Sequence, residues 1–323
     1  MSQKYTGKIS LDEAYVRKLI GLTVFILIQQ AIFAGNVIYE HGKCSGSISY
    51  VFGNGAVIYE KPSIKSKQVY LPAPGSVITI IKDDYPEEEP PRSDYGVEDD
   101  YEDWYEIRIN TKKQGIITGH IRAAFMAIAF VGYDFDRDGK NELVLMGEKT
   151  DVKNDTGDLQ LVYIKNGIVK SELSFKKADV LVGTSNIYQY RVETEIVDSR
   201  GFQPPLQLFN MEFTTGTCDG VNGCIYFLWD GKNLQKACDV FVGSLGEEIT
   251  DYHVDLPANG KVLANTMVAR AFWLQFKPAD VRVRTSEYKW NGNKMAERQK
   301  GDQKIKWKKF IKEFPQEARM VTQ

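Results

Sequence analysis

The chain has 323 residues, of which 43% are hydrophobic and 26% are charged, an ordinary globular mixture that predicts one to three domains. Its formal net charge of −2 gives no overall attraction to nucleic acid or to an anionic membrane, so neither is predicted as a partner of the whole chain. The 27 glycines and 17 tyrosines, with few long amphipathic periods, favour a mainly β fold.

Residues 1–34 are typical of an export signal peptide. Basic residues precede the apolar run LIGLTVFILI at 19–28, and Ala34 before Gly35 offers a cleavage point. The apolar run is about half of the ~20 residues that span a bilayer. We therefore predict an exported protein that is periplasmic, on the cell surface or secreted. An uncleaved anchor and a start codon placed too early are the alternatives.

Four cysteines give the exported chain two potential disulfides. Cys218 and Cys224 bracket the turn-rich sequence DGVNG, so a local bridge between them is predicted, which leaves Cys44 to pair with Cys238. Two alternatives stay open: free buried thiols, and an intracellular or membrane-anchored protein whose cysteines are all reduced.

Residues 46–126 read as short strands separated by Pro and Gly, a pattern that predicts a small barrel. The order of VIYEKPSIKSKQV, PGSVITII, WYEIRI and QGIITGHI resembles the bacterial SH3 (SH3b) family, although Ile117 stands where that family often has Trp. The resemblance implies a barrel that binds a peptide or a peptidoglycan stem.

Three aromatic residues of this segment, Tyr59, Trp104 and Tyr105, are the candidates for an exposed binding surface. Because Trp104 and Tyr105 are adjacent on a predicted strand, they point to opposite faces, and one of them is expected in the core. Between the second and third strands, residues 83–103 form a strongly acidic segment, predicted to be a solvated loop that could meet a basic partner or loosely held divalent cations.

The sequence YDFDRDGKNELVL, residues 133–145, predicts a calcium loop. Calcium takes six to eight oxygen ligands, and three aspartates at alternate positions supply carboxylates compactly while Gly139 allows a sharp turn. The predicted ligands are the side chains of Asp134, Asp136, Asp138 and Glu142 and the backbone carbonyl of Lys140. The alternative is an Asp-rich turn that bonds to its own backbone.

An EF-hand is excluded because Leu145 stands where that motif needs a bidentate Glu, and because β-rich runs replace its two helices. The strand–loop–strand pattern resembles the FG-GAP/VCBS repeats of integrin-type propellers, which implies a structural calcium ion within residues 134–142.

Three later segments share one layout, in which an aromatic-containing strand meets Asn-Gly or Asp-Gly and continues as a second strand. Asn166–Gly167, Asp230–Gly231 and Asn291–Gly292 are predicted type I′ hairpins. Residues 127–310 therefore form a β-repeat domain, either an open, partial propeller-like stack or hairpins of a different β fold. In the second unit, TTGTCDGVNGC is interpreted as the counterpart of the calcium loop, closed by a disulfide.

The Lys-rich C-terminal sequence, which includes the tail 311–323, predicts an amphipathic helix that ends at Pro315. Its apolar residues Trp307, Phe310, Ile311 and Phe314 are expected to dock on the β domain. Docking against the acidic segment and contact with anionic lipid are the alternatives. The only predicted membrane contacts are this helix and an uncleaved signal.

No enzyme motif appears. The histidines, His41, His120 and His253, are scattered, and the sequence contains no nucleophile elbow and no phosphate-binding loop. A Cys–His peptidase would need a free thiol beside a histidine. We therefore predict a non-catalytic binding or scaffold protein of the cell envelope. The alternative is an envelope hydrolase with an unrecognised pair of carboxylates.

Overall fold

The computed structural model describes residues 47–83, 104–149, 158–176, 190–203, 206–215, 221–243, 248–275 and 279–322. All of them belong to one compact unit that spans residues 36–323. The predicted signal peptide, Cys44, Cys218 and the acidic segment after Asp83 lie outside the described residues. The mainly β fold with a C-terminal helix is confirmed.

The first six strands form one antiparallel sheet in the order β1-β4-β5-β6-β2-β3. The sequence predicted a small barrel, and in the structure β1 and β3 are the two edges of the sheet, so hydrogen bonding does not close it. Its inner face carries an isoleucine-rich core that includes Ile58, Ile78, Ile107 and Ile121. The strands are β1 (Ile48–Tyr50), β2 (Ile58–Tyr59), β3 (Gln68–Tyr70), β4 (Val77–Asp83), β5 (Trp104–Thr111) and β6 (Gly115–Arg122).

Three four-stranded antiparallel sheets follow, and in each the strands lie in chain order. We call them sheets A, B and C. Sheet A comprises β7 (Ala129–Tyr133), β8 (Glu142–Lys149), β9 (Asp158–Lys165) and β10 (Ile168–Phe175). Sheet B comprises β11 (Tyr190–Val197), β12 (Gln207–Thr215), β13 (Val221–Trp229) and β14 (Leu234–Gly243). Sheet C comprises β15 (Glu248–Asp255), β16 (Thr266–Gln275), β17 (Asp280–Trp290) and β18 (Met295–Lys306).

The three predicted hairpins close the last two strands of each sheet, but only the first has the predicted turn. Asn166 and Gly167 both have positive φ, 52° and 74°, as a type I′ turn requires. In the other two, only the glycine has positive φ, and the Asp230 or Asn291 side chain accepts hydrogen bonds from backbone N–H groups two and three residues ahead at 2.8–3.0 Å. These two loops are each two residues longer than the first, which makes this bonding possible. The type I′ prediction is therefore wrong for both of them.

Sheets A, B and C stack face to face in chain order, which is the arrangement of neighbouring propeller blades. Tyr163 of sheet A stacks on Trp229 of sheet B with ring centroids 4.0 Å apart, inside a core that the two sheets share. A second core, which includes Leu228 of sheet B and Met267 of sheet C, joins the next pair. Of the two repeat architectures left open by the sequence, the open partial stack is therefore present.

The six-stranded sheet is fixed to the free face of sheet A. The ring of Phe52 lies directly on Gly147, where an added Cβ would come within 2.3–2.5 Å of the aromatic carbons. Tyr50 meets Phe130 edge to face at 4.5 Å, and the backbone N–H of Ala127 donates to the carbonyl of Tyr50 at 2.9 Å. A shared core and backbone hydrogen bonds therefore connect the two parts.

We expect Gly147→Ala to lower the free energy of unfolding by about 2 kcal/mol, because its methyl group overlaps the ring of Phe52. Gly301→Ala is the matched control, since nothing lies within 4 Å of its added Cβ and β18 is exposed there. Urea denaturation of both variants measures the difference. Equal stabilities would show that the Phe52–Gly147 contact does not hold the junction.

The far face of sheet C is covered by two helices, α1 (Trp307–Glu313) and α2 (Pro315–Thr322). Phe310 is fully buried in a core with Phe272 and Val283, so the predicted docking of the C-terminal helix on the β domain is confirmed. Ile311 is 43% exposed and points away from this core. The chain continues as a second helix from Pro315, where the sequence predicted its end, because proline is compatible with the first turn of a helix.

A charged network lies beside these helices. Asp255, which is 5% exposed, is paired with Arg270, lies 2.9 Å from Nε2 of His253, and is 3.6 Å from Nζ of Lys261. The other ring nitrogen of His253 lies 4.0 Å from a carboxylate oxygen of Glu317 on α2. Burial alone would raise the pKa of Asp255, but its bonds to His253 and Arg270 outweigh burial and lower it.

We expect Asp255→Asn to cost roughly 2–3 kcal/mol at pH 7, because it removes a charge-assisted bond to Arg270. A lowered folded-state pKa means that the carboxylate stabilises the fold above its unfolded pKa of about 3.9, and that this contribution is lost as the pH falls through the folded-state pKa. Unfolding curves of wild type and variant should therefore converge in acid.

Asp251→Asn is the control for this pH dependence. Burial raises the pKa of Asp251, so its ionisation opposes folding, and the neutral variant should be as stable as wild type at pH 7 or more stable. If both variants lose the same stability at pH 7, the Asp255 network is not the source of the effect.

Candidate metal site and binding surfaces

The predicted calcium loop connects β7 and β8, the first two strands of sheet A. Strands therefore flank it on both sides, as the sequence predicted, and the helices of an EF-hand are absent from both flanks. The chain turns through left-handed conformations at Arg137, with φ 61°, and at Gly139, with φ 84°. These two residues bring the carboxylates of the loop back towards one point.

The loop is organised by hydrogen bonds from its own backbone. The two oxygens of Asp134 accept from the N–H groups of Asp138 and Gly139, each at 2.9 Å. One oxygen of Asp138 accepts from the N–H of Lys140 at 2.9 Å, and one of Glu142 accepts from the N–H of Phe135 at 2.8 Å. The self-bonded turn considered as the alternative is thus present, but it uses only part of the carboxylate oxygens.

Four carboxylates nevertheless converge. Asp134, Asp136, Asp138 and Glu142 each place one oxygen so that all four lie within 4.8 Å of one another. Such a set of hard oxygen donors is what calcium prefers. Lys140 takes part through its N–H, and the role of its carbonyl stays a prediction.

The ammonium group of Lys165, at the end of β9, lies against this cluster. It is bonded to Asp136, lies 2.7 Å from an oxygen of Asp138, and is 3.6 Å from the inner oxygen of Glu142. The ammonium group therefore lies against three of the four acids and neutralises part of their charge. Lys165 could not be predicted from the sequence, because only the pairing of β8 with β9 brings it next to a loop more than 20 residues away.

The members of the cluster differ in their electrostatic environments. Hydrogen bonding to Lys165 lowers the pKa of the exposed Asp138. Burial raises the pKa of Glu142, whose side chain is 1% exposed, and the nearby Asp136 raises it further. Hydrogen bonds to Asp136 and Asp138 raise the pKa of Lys165. The loop therefore combines solvent-facing carboxylates with one carboxylate at the base.

The base of the loop is continuous with the core between sheets A and B. Phe135, 2% exposed, lies 5.9 Å from Tyr163 and 5.7 Å from Phe209 of sheet B, both measured between ring centroids. Burial and the negative charge of Glu142 raise the pKa of Tyr163. A restraint on the conformation of the loop therefore also restrains the packing between sheets A and B.

The structure corrects the proposed counterpart of this loop in sheet B. TTGTCDGVNGC connects β12 to β13, the second and third strands, whereas the calcium loop connects the first and second. In an antiparallel meander these two connections lie at opposite ends of the sheet. The true counterparts are the connection between β11 and β12, which begins at Asp198, and the connection between β15 and β16, which follows Asp255.

The three aromatic candidates for ligand binding are buried. Tyr59 and Trp104 are each 9% exposed and pack edge to face at 5.6 Å, and Tyr105 is 8% exposed in the core of the six-stranded sheet. The expectation that they form an exposed surface is therefore wrong. Trp104 and Tyr105 do point to opposite faces, but both of those faces are covered.

Cys224 and Cys238 are free thiols in this structure, so the predicted pairs Cys218–Cys224 and Cys44–Cys238 are not formed. Both side chains point into the core between sheets B and C and are 2% and 1% exposed. Burial raises the pKa of both thiols. They match the alternative of free buried thiols, and groups of this kind are poor nucleophiles.

Comparison with known proteins gives no relative: no protein-family model, no curated protein and no solved structure matches the chain. Within the described part of the chain, no helix combines the length and apolar character needed to cross a bilayer.

Proposed function

We propose that this chain is an exported, non-catalytic binding and scaffold protein of the cell envelope. In this proposal the six-stranded sheet is an SH3-like module for a peptide or cell-wall ligand, and the stack of sheets A, B and C is its rigid support. The export signal predicted from residues 1–34 supports the location. The resemblance of the first strands to the bacterial SH3 family supports the ligand class.

The observation that carries the proposal is the fixed junction between module and stack. The contacts of Phe52 with Gly147 and of Tyr50 with Phe130 continue one apolar core from the six-stranded sheet into sheet A. A surface that is held by a packed core keeps its geometry when a ligand binds, and so loses little conformational entropy on binding.

We further propose that calcium stabilises the stack at the loop of residues 134–142. The fit rests on four converging carboxylates and on the ammonium of Lys165 that lies against three of them. Calcium would supply no redox or acid–base chemistry there. It would hold the connection between β7 and β8 through side-chain oxygens that the loop does not use for its own turn.

Calorimetry of the full-length chain tests the calcium proposal. We expect the wild type to bind about one calcium ion with a rise in melting temperature, and Asp136→Ala to do neither. Lys165→Gln should bind calcium about tenfold more tightly, because the ion no longer displaces an ammonium group or is repelled by it. Lys170→Gln, on the exposed β10 of the same hairpin, is the control for the change in net charge and should resemble wild type.

If the wild type shows neither heat nor a thermal shift, the aspartates form only a self-bonded turn and the calcium proposal is wrong. If Lys165→Gln and Lys170→Gln tighten binding equally, Lys165 acts through general charge and not as the resident cation.

Sedimentation with purified peptidoglycan tests the binding function. We expect the full-length chain to sediment with insoluble cell-wall material and to leave a cell-wall zymogram uncleared. Clearing would favour the alternative, an envelope hydrolase. One observation gives that alternative a location: Glu148 and Glu172 both line a cavity of about 270 Å³ at the junction between the six-stranded sheet and sheet A.

A further inference from the structure

The outer face of the six-stranded sheet carries a groove that none of the predicted site residues touches. It has a volume of about 790 Å³ and is bounded by Tyr70 of β3 and by the turn between β5 and β6. Along β4 and β5 the side chains alternate, so Val77 and Thr79, on either side of Ile78, and Arg108, after Ile107, point outwards into this groove. Most of the groove therefore lies on the face away from the isoleucine core, and Tyr70 and Ile109, which pack with that core, also line it.

Part of the groove is apolar and open to solvent. Val77 is 51% exposed and Ile116 is 67% exposed, and both line it. Ile116 is paired in register with Asn110, which also lines the groove and offers an amide for hydrogen bonding. Single exposed apolar residues are ordinary on a sheet, but two in one groove form a surface on which a ligand side chain can pack.

The described charged residues that line the groove are all basic. They are Arg108, Lys112 and Lys113, and Glu106, two residues before Arg108 on the same face of β5, is not among the lining residues. None of these three side chains forms an ion pair with another residue in the described ranges, in contrast to Lys165, Arg270 and Arg282 elsewhere. Within the part of the chain that the structure describes, the groove thus presents three cations without an ion-pair partner beside its apolar residues, on a chain whose net charge is −2.

We propose that this groove binds an extended acidic peptide, with carboxylates against Arg108, Lys112 and Lys113 and apolar side chains against Val77 and Ile116. Carboxylates meet guanidinium and ammonium groups in strong charge-assisted hydrogen bonds. An extended peptide alternates its side chains, so acidic and apolar residues can meet the two kinds of surface in turn. The inference rests on the proposed binding function and gives it a location and a ligand chemistry.

Fluorescence anisotropy on the full-length chain tests this, with a fluorescein-labelled peptide of alternating Glu and Val as the probe. A peptide of alternating Lys and Val tests the sign of the charge, and one of alternating Glu and Ser tests the apolar contact. We expect the Glu–Val peptide to bind, the Glu–Ser peptide to bind about tenfold more weakly, and the Lys–Val peptide not to bind. Binding should weaken as salt is added.

Two variants locate the site. Arg108→Gln combined with Lys112→Gln should weaken Glu–Val binding at least about tenfold, and Ile116→Thr should weaken it severalfold while keeping a β-branched side chain at an exposed position. Lys300→Gln combined with Lys304→Gln, on the exposed β18, removes the same charge far along the chain and should leave binding unchanged. Melting temperatures close to wild type would show that all three variants are folded.

Three outcomes would overturn the inference. The first is equal binding of all three peptides, and the second is unchanged binding by the Arg108/Lys112 variant. The third is the observation that inorganic polyphosphate binds as tightly as the Glu–Val peptide and displaces it. The groove would then be a general polyanion-binding surface. The cell-wall experiment separates this inference from the proposed function: a groove variant that still sediments with peptidoglycan leaves the function standing and removes only this site.

Discussion

The structure depends on one constraint: a four-stranded sheet with two apolar faces is stable only when both faces are covered. In β13 of sheet B, Ile225 and Phe227 point to sheet A while Cys224 and Leu228 point to sheet C, so the strand has no solvent face. A stack of such sheets ends in two faces that would be exposed. The six-stranded sheet covers the first through Tyr50 and Phe52, and the helix that contains Phe310 covers the last. Repeat arrays need terminal caps for the same reason.

Capping determines where function can reside. Because both faces of sheets A, B and C are used for packing, the accessible surfaces that remain are strand edges, loops at the ends of the strands and the outer face of the six-stranded sheet. The acidic loop lies at a strand end, and the groove beside Arg108 lies on that outer face. Both occupy positions that the fold does not need for its own stability, which is where binding residues are generally found.

The sequence was informative wherever a feature is local. Alternation and Asn-Gly or Asp-Gly pairs predicted strands and hairpins, and the spacing of Asp134, Asp136 and Asp138 predicted a strand–loop–strand turn. The sequence was uninformative where a feature depends on which other element packs against a given face of a strand. Trp104 and Tyr105 are both buried because both faces of β5 are covered there. The position of TTGTCDGVNGC was predicted wrongly because the end of the sheet at which a connection lies depends on how many strands of that sheet precede it. Lys165 was missed because only strand pairing brings it to the acids.

Charge balance distinguishes the three equivalent strand ends of the stack. Asp134, Asp198 and Asp255 each stand at or directly after the end of the first strand of a sheet. In sheet B, Asp198 is paired with Arg200, and in sheet C, Asp255 is surrounded by Arg270, Lys261 and a histidine. In sheet A, four carboxylates converge, and the ammonium group of Lys165 contacts three of them, Asp136, Asp138 and Glu142. Among the described residues of the three ends, the excess of negative charge close to one point is found in sheet A. An excess of that kind is relieved by a divalent cation, whereas Asp198 and Asp255 are paired with cations of the chain itself.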